Sequence, residues 1–566
     1  MTSFFKQALR AHQTGQAVAA EALYRQAIAA GNEVRSARHN LALLLLERRA
    51  FADAKSLLLE LIASPDVDAA THFMLARILV AEGDEAAALA PLEQALALEP
   101  GSVPVRLELA RLLAGKQEFP RARSLLENLP GNAAPADRLA ALRARAEIEI
   151  AWADLDGTEE AAHLVAAEKA LREGLALAPQ HPALLNNLAM LLRRQGALDE
   201  AETQARKLLS VAPQVPESTL TLAAVLAGRD PQRETEAVAL LERAAAAAPN
   251  HPSITWNLAH SLMRLKRLPE GWTRYARRFE RPQRVPPPPG PRWDGKPIDK
   301  PLLIWGEQGF GNVIQFARFL PRIANLTPQL ILACQSPLLR LLAGMPGLDR
   351  VVDFAATLPP YGAQYPLLDL GLALGLEAKD LPGPIPYLHA PDSEAPWNEL
   401  QAAPASRIGI VWVGNRHPDP HRSTTLDRFT RLAKRFDLSL FSLQIGPAAA
   451  DIGREGEGRI VDLAPLIRDF ADTAAAIARL DLVITIDTAV AHLAGAMGGP
   501  AWVLLPHRAG WMWHFDQEHS SWYPNLRLFR QASVADWDGV FARVEAALAE
   551  WLATQTDSPG QMAPRA

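Results

Sequence analysis

The first half of the chain carries apolar residues at helical spacing. From residue 1 to about 281 the sequence is rich in Ala, Leu, Glu and Arg, and runs of β-branched residues are few. Prolines interrupt this pattern at near-constant intervals, 34 residues from Pro179 to Pro213 and 36 from Pro213 to Pro249. Because proline stops a helix and a fixed period indicates a repeated unit, the pattern predicts an array of helix pairs, with a longer helix in the irregular stretch 101–180.

A short motif recurs within the predicted helix pairs. It is HNLALLL at 39–45, NNLAMLL at 186–192 and WNLAHSL at 256–262. Together with the period, this motif resembles the tetratricopeptide repeat, so residues 1–281 are expected to form a solenoid of roughly seven or eight repeats. The resemblance implies a groove that binds an acceptor protein, and in this family the Asn before the Leu-Ala step often faces that groove. We therefore expect Asn40, Asn187 and Asn257 to hold an extended peptide, since an amide both donates and accepts hydrogen bonds. The alternative is that these residues only satisfy local helix ends.

The second half changes to short apolar strands that alternate with helices. A proline-rich linker, residues 282–300, is expected to be a stiff extended spacer, and the segment GWTRYARRFERP before it is expected to pack as a helix against the next domain. The runs that predict strands are LLIW (302–305), LILAC (330–334), VVDF (351–354), RIGIVWVG (407–414), LSLFSLQ (438–444), RIVDL (459–463), LVITI (482–486), WVLLP (502–506) and LRLFR (526–530). The fold class is therefore α + α/β, with two Rossmann-like halves at 301–395 and 396–552 and a disordered tail at 553–566.

Composition excludes several classes of protein but does not indicate where a functional site lies. The 566 residues are 49% hydrophobic with a formal charge of −5, which gives no global attraction to nucleic acid or anionic lipid. A single cysteine, Cys334, excludes a disulfide framework and a cysteine-ligated zinc site and is consistent with a reducing compartment. The first residues turn polar too soon for a signal peptide, and no apolar run is long enough for a membrane span. A cytoplasmic protein is expected.

Polar residues and glycines gather where strands are predicted to end. The stretch DLVITIDTAVAHLAGAMGGPAWVLLP (481–506) predicts a strand, a sharp turn, a helix and a second strand. Helix N-termini at the carboxyl ends of parallel strands bind phosphate groups, so a nucleotide is the expected ligand. The candidate residues are Gly309, Gly311 and Asn312 in a first loop, Gly414, Asn415, Arg422, Ser423 and Thr424 in a second, and Asp487, Thr488, Ala489 and His492 in a third. The alternatives are a solvated second loop, a helix cap at Asp487 and a packed histidine at His492.

The order of these motifs makes the resemblance more specific. GEQGFGNVIQFARFLP, VWVGN…HRSTTL, DFADTAAAIARLDLVITIDTAVAHLAGAMGGPAWVLLP and SSWYPNLRLFRQ together resemble the heptosyltransferase-like glycosyltransferase domain of the GT-B fold. The layout is similar to that of bacterial tetratricopeptide-repeat glycosyltransferases, including flagellin glycosyltransferases, and to O-GlcNAc transferase. The resemblance implies a nucleotide-sugar donor as substrate, with no separate cofactor, and a protein acceptor such as flagellin. No paired aspartates of the DxD type occur in the loops, so metal-independent, inverting transfer to a Ser or Thr hydroxyl is expected.

Two departures from the family pattern concern catalysis. Relatives carry Asp after Gly in the first loop, where this chain has Asn312, and an amide cannot accept the proton of an acceptor hydroxyl. Glu307 is the candidate catalytic base, and His492 is the candidate hydrogen-bond donor to the phosphate. The alternatives to Glu307 are that the phosphate of the nucleotide-sugar accepts the proton, or that the enzyme is impaired. Relatives also carry Asp-Trp-Arg-Trp where this chain has Gly-Trp-Met-Trp at 510–513. The aromatic residues Trp511, Trp513, Trp522 and Tyr523 either stack on the ligand or form core.

Three functions are compatible with these features. The first is a protein O-glycosyltransferase whose repeats recruit the acceptor. The second is a repeat scaffold whose α/β half binds a nucleotide or a partner but has lost catalysis. The third, transfer to lipid-linked or surface saccharides, leaves the repeats without a purpose.

Overall fold

The computed structural model describes residues 3–64, 67–155, 159–281, 286–393, 395–402, 406–415, 419–456 and 458–556. Residues 282–285 of the predicted linker and 557–566 of the predicted tail lie outside this range. The chain divides into two compact units, Met1–Gln195 and Gly196–Ala566.

The described part of the first unit is α-helical, and helix pairs continue into the second. The helices of the first unit are α1 (Phe4–Gln13), α2 (Ala17–Ala29), α3 (Val34–Glu47), α4 (Phe51–Ile62), α5 (Ala69–Ala81), α6 (Glu85–Leu98), α7 (Val103–Gly115), α8 (Phe119–Glu127), α9 (Pro135–Leu155), α10 (Glu160–Leu177) and α11 (Pro182–Gln195). The second unit opens with α12 (Leu198–Val211), α13 (Pro216–Leu226), α14 (Pro231–Ala247), α15 (Pro252–Arg264) and α16 (Leu268–Tyr275). The prediction of a helical repeat array is confirmed, and α9, with 21 residues, is the longer helix of the irregular stretch.

The repeat is visible in the backbone as well as in the sequence. Residues with left-handed backbone conformation recur every 34 residues in the turns within the first pairs, at Gly15, Arg49, Gly83 and Gln117. Proline is the first residue of α11, α13, α14 and α15, where its fixed φ suits a helix start and its missing N–H costs nothing. The Ala of the recurring motif is fully buried in α3, α11 and α15, which lets neighbouring helices approach closely.

The first sheet consists of four parallel strands in the order β3-β2-β1-β4. The strands are β1 (Leu302–Trp305), β2 (Leu330–Cys334), β3 (Arg350–Asp353) and β4 (Ala363–Pro366), with helices α17 (Phe310–Ala317), α18 (Leu339–Leu342) and α19 (Leu370–Ala373). Strand β4 was not predicted, because Ala-Gln-Tyr-Pro has no apolar run. It is buried beside β1, where Trp305 Nε1 donates to Gln364 Oε1. The end of the linker lies along it, since Trp293 N donates to Gln364 O at 3.0 Å.

The second sheet has six parallel strands in the order β10-β9-β8-β5-β6-β7. Its strands are β5 (Ile408–Val411), β6 (Leu440–Ser442), β7 (Ile460–Asp462), β8 (Leu482–Ile486), β9 (Ala501–Leu505) and β10 (Leu526–Arg530). Its helices are α20 (Asn398–Ala402), α21 (Leu426–Phe436), α22 (Ile452–Glu455), α23 (Phe470–Ile477), α24 (Ala489–Ala496) and α25 (Trp537–Thr556). Counted from β5, this is the strand order of the doubly wound dinucleotide-binding fold, so the predicted α/β class is confirmed. Helix α25 runs four residues into the predicted tail because Trp551 and Leu552 pack on the core.

Within the second unit, the last repeat helices pack against the first sheet and its helices. Trp272 of α16 is buried, its Nε1 donates to Leu376 O at 3.1 Å, and its ring lies against Gly371 of α19. A Cβ at Gly371 would come within 2.5 Å of that ring, so glycine is needed for the contact. The segment GWTRYARRF therefore packs as predicted.

Candidate functional site

The candidate site lies where the second sheet reverses its winding. Strands β5 and β8 are neighbours, and the chain leaves them toward opposite ends of the sheet. The loop after β5 contains Gly414 and Asn415, and the turn after β8 contains Asp487 and Thr488. Open α/β sheets bind ligands in the crevice outside the carboxyl ends of the strands at this switch point.

Arg422 connects the loop after β5 to the turn after β8. Its Nη2 lies 3.2 Å from Asp487 Oδ2 and also donates to the backbone carbonyl of Asp487. Its Nε is buried without a hydrogen-bond partner in the part of the chain that is described. A guanidinium that keeps a free donor beside a helix start is suited to bind an anion.

The remaining residues of the second loop fold back on β5. Gly414 N donates to Ser423 Oγ at 3.1 Å, and Thr424 N donates to Trp412 O at 2.9 Å. The Thr424 hydroxyl is buried and finds no partner among the described residues. Ser423 and Thr424 thus hold the loop close to the switch point, with one hydroxyl still unpaired.

Helix α24 points its N-terminus at the same place. Thr488 is its N-cap residue, but its hydroxyl pairs with Thr485 Oγ1 at 3.1 Å and makes no hydrogen bond to the helix backbone. Asp487 is not the cap, and its carboxylate pairs with Arg422. The first backbone N–H groups of a helix, here those of Ala489 and Val490, have no intrahelical acceptor and carry the positive end of the helix dipole.

His492 is packed inside the protein rather than aimed into the loops. Its Nδ1 lies 3.3 Å from the Tyr523 hydroxyl, and its ring stacks on Trp513 with centroids 5.2 Å apart. Burial lowers the pKa of His492 to about 4 despite the nearby Asp487 carboxylate. At neutral pH the ring is uncharged, as in the packed alternative, although its position one turn into α24 keeps it next to the site.

The glycine-rich loop after β1 reaches α24 through Gly311. A Cβ at Gly311 would lie 2.6 Å from His492 Cδ2 and 3.4 Å from Ala489 Cα, so only glycine allows this approach of α17 to α24. Gly309 is the N-cap residue of α17 and is open, with no atom within 4 Å of a Cβ there. Asn312 lies in the first turn of α17, partly exposed. The first loop and the third loop therefore meet, as predicted.

Glu307 takes part in a buried ion cluster at the switch point of the first sheet. Arg278, in the turn that follows α16, donates to Oε1 of Glu307 from Nε at 2.9 Å and pairs with Asp369 through Nη1. Arg278 is 3% exposed, and Arg292 pairs with the second oxygen of Asp369. Burial opposes the charge of Arg278, but the carboxylates of Asp369 and Glu307 outweigh it and raise its pKa. The side chain of Glu307 is thus held by a cation of the repeat region.

Neither Arg278 nor Asp369 was predicted as a site residue. They lie 91 residues apart in the sequence, and each is one of many similar charges. Only the tertiary packing of α16 beside α19 brings them to the end of β1.

A second ion cluster joins the two sheets. Arg340 of α18 lies 3.0 Å from Asp469 and 3.4 Å from Asp472, which begin α23. The hydrogen bond from Arg468 is the largest cause that lowers the pKa of Asp472, to about 2. These ion pairs connect α18, beside the first sheet, with α23, beside the second.

The aromatic residues near the site form core. Trp511, Trp513, Trp522 and Tyr523 are all buried, and Tyr523 receives the guanidinium of Arg318 over its ring at 4.4 Å. Of the two alternatives for these residues, the structure favours the core.

The three asparagines of the repeat motif differ in their partners. Asn257 donates to the carbonyl of Ser253 one turn back at 2.8 Å, which is a local helix contact. Asn187 accepts from Asn186 and donates to Glu147 at 3.4 Å. Asn40 is partly exposed on α3. A common peptide-binding role for the three stays a prediction.

Membrane spans and metal clusters are absent from the described residues. No helix there is long and apolar enough to cross a membrane. No group of three or more His, Cys, Asp or Glu side chains in that part of the chain could hold a metal ion.

Comparison with known proteins defines the class of the repeat region. Residues 39–103 and 161–216 match one tetratricopeptide repeat model, and residues 79–146 match a second. The chain therefore contains tetratricopeptide repeats, which commonly bind other proteins. Among solved structures, a thermophilic tetratricopeptide repeat protein of Thermus thermophilus is 22% identical with a TM-score of 0.29 and covers 34% of this chain and 99% of its own. PilF of Pseudomonas aeruginosa is 17% identical with a TM-score of 0.32 and covers 39% of this chain and 94% of its own.

One relative extends over both halves. Protein FlbA of Caulobacter vibrioides is 26% identical over 580 residues, which cover 95% of this chain and 94% of FlbA. The similarity thus includes the repeats and the α/β region together.

Proposed function

We propose that this protein is a nucleotide-sugar-dependent protein O-glycosyltransferase of the GT-B fold, with tetratricopeptide repeats that recruit the acceptor. The observation that carries the proposal is the position of Arg422 at the switch point: it pairs with Asp487 beside the N-terminus of α24, and its buried Nε has no hydrogen-bond partner among the described residues. Fixed donors of this kind stabilise the negative charge of a departing nucleotide phosphate without reorganisation. The motif resemblance in both loops supports the same donor.

In this reaction the acceptor hydroxyl attacks the anomeric carbon of the sugar, and the bond to the nucleotide phosphate breaks with its electrons on the phosphate. The proton of the hydroxyl goes to a base, for which Glu307 and the donor phosphate are the two candidates. Glu307 pairs with Arg278 through Oε1, so proton transfer to Glu307 requires its other oxygen, Oε2, which has no partner among the described residues.

The acceptor is proposed to be a protein because tetratricopeptide repeats commonly bind other proteins. Flagellin is the candidate that the resemblance to flagellin glycosyltransferases favours. We propose a cytoplasmic location, because a chain with a single cysteine has no internal disulfide and suits a reducing compartment.

The first test is nucleotide binding by the full chain. Calorimetric titration with UDP, GDP and CMP, without divalent metal, is expected to give one preferred nucleotide. Arg422→Ala is expected to weaken its binding about tenfold or more, since a charge-assisted contact contributes about 1.5–3 kcal/mol. Arg431→Ala is the matched control, because Arg431 is exposed on α21 and pairs with Asp427. Equal affinities for the two variants would refute the site.

The second test is transfer in cells. Intact-mass measurement of flagellin from strains with and without the gene is expected to show loss of a glycan mass on deletion. An unchanged mass, with flagellin still retained by the repeats, would support a scaffold instead.

The scaffold is the second candidate, and Asn312 together with the ion pair of Glu307 favours it. Asn312→Asp distinguishes the two. In an impaired enzyme, the restored carboxylate is expected to create transfer activity where none was present. In an active enzyme that uses Glu307, Glu307→Gln abolishes activity and Asn312→Asp changes it little.

A further inference from the structure

A cavity of about 470 Å³ opens between the second and third helix pairs of the first unit. Its apolar lining comes from Leu43 and Leu46 of α3 and Phe51 of α4. Its charged lining comes from Arg49 in the turn between those helices, Arg77 of α5 and Glu47. The volume is large enough for one or two side chains of a peptide.

The two arginines of this cavity stand apart from their neighbours. Arg35, Arg38 and Arg48 in the same helix pair each form an ion pair with a carboxylate, of Asp68, Glu60 and Glu21. Within the described ranges, Arg49 and Arg77 have neither an ion pair nor a hydrogen bond from their side chains. The one carboxylate of the lining, Glu47, lies 3.4 Å from His12 Nε2. The cavity therefore has an excess of positive charge.

Arg49 occupies a backbone position that suits glycine. Its φ is +59°, and the equivalent positions 34 residues before and after it are Gly15 and Gly83. An L side chain in this conformation is strained, whereas glycine is not. The next equivalent position, Gln117, also carries a side chain at positive φ, so the array accepts this strain in more than one repeat.

We propose that this cavity binds an acidic peptide segment with an apolar side chain in it. The carboxylates pair with Arg49 and Arg77, and the apolar side chain lies on Leu43, Leu46 and Phe51. A peptide of this kind complements both the charge and the apolar floor. This peptide-binding proposal rests on the proposed transferase function in one respect, which is that the bound segment belongs to the acceptor protein.

The experiment is fluorescence anisotropy with the full chain and three labelled peptides: Asp-Asp-Leu-Phe-Asp-Asp, its Lys counterpart Lys-Lys-Leu-Phe-Lys-Lys, and Asp-Asp-Ser-Ser-Asp-Asp. The first is expected to bind at least tenfold more tightly than the other two, and less tightly at high salt because exposed charges are screened. Equal affinity for the first and the third, or for the first and the second, would overturn the proposal.

Three variants assign the binding to this cavity. Arg77→Ala is expected to weaken the first peptide about tenfold. Arg49→Gly is expected to weaken the binding of this peptide similarly, while the melting temperature of the protein stays the same or rises. If Arg49 had only a structural role, affinity and melting temperature would fall together. Arg111→Ala is the control, since Arg111 lies on α7 and pairs with Glu85 and Glu108. Unchanged affinity in the first two variants would contradict the proposal.

Nucleotide affinity of the same variants separates this proposal from the transferase. It is expected to be unaltered, because the cavity is in the first unit and the nucleotide loops are in the second. Peptide binding without any transfer would leave this proposal standing and remove the transferase, and transfer without peptide binding would do the reverse.

Discussion

At the scale of single residues, Arg278 is a buried cation that pairs with two acids beside the first sheet. Arg278→Met would leave Glu307 and Asp369 buried without their shared partner. We expect a loss of about 3–5 kcal/mol in the free energy of unfolding, measured with urea, because a buried charge is then uncompensated. Arg277→Met is the matched control: its carboxylate partner, Glu280, is exposed, and such pairs contribute about 1 kcal/mol or less. Similar losses of free energy of unfolding in both variants would show that the ion cluster of Arg278, Glu307 and Asp369 does not stabilise the fold more than an exposed ion pair does.

Because of His492, the free energy of unfolding is expected to depend on pH. Its pKa is about 4 in the folded protein and about 6.5 in an unfolded chain, so between these values the unfolded state binds more protons. The stabilisation is complete above about pH 6.5 and falls by up to about 3 kcal/mol as the pH drops to about 4. Burial lowers the pKa of His260 and His514 to about 4 as well, so the effects add. Urea unfolding at several pH values gives the slope of the free energy of unfolding against pH. Between about pH 4 and 6.5 this slope is expected to be smaller in His492→Gln than in the unaltered protein, by the equivalent of about one proton. An identical slope would contradict this assignment.

At the scale of elements, the approach of α17 to α24 is what brings the first loop to the site. Gly311→Ala is expected to push the helices apart, at a cost of about 1–3 kcal/mol in stability, and to weaken nucleotide binding. Gly309→Ala in the same loop has open space and a φ of −61°, so its stability should equal that of the unaltered chain. Thermal unfolding and nucleotide titration of both variants test this; equal stability of the two would mean that the contact is not tight.

The sequence predicts elements well where a local pattern decides them. Strands β8 and β10 fall on the predicted runs LVITI and LRLFR, because continuous apolar residues bounded by polar turns suit a buried parallel strand. Strand β4 was missed because Ala363–Pro366 owes its burial to β1 beside it. The loop residues could be assigned to strand ends because strand ends and glycines are local signals. The partners of Glu307 were not, because Arg278 and Asp369 reach it only through packing.

At the scale of the whole molecule, the last repeat helices belong to the same compact unit as the sheets. A fragment of residues 196–566 is therefore expected to unfold cooperatively and to retain nucleotide affinity. A fragment of residues 282–566 lacks Trp272 and Arg278, which exposes Gly371, removes the ion pair of Glu307 and takes from Asp369 one of its two arginines, the other being Arg292. We expect it to aggregate or to melt at a lower temperature, and Glu307→Gln to recover part of the loss. Equal melting temperatures of the two fragments would refute this.

The single thiol of the chain has a practical consequence. Cys334 is fully buried in β2, and burial raises its pKa to about 12. Maleimide dyes react with exposed thiolates, so we expect them not to label Cys334 in the folded protein. Cysteines placed by mutation on α4 and α25 would then be the sole labelled positions, and energy transfer between the dyes would measure the distance between these helices with and without donor and acceptor substrates.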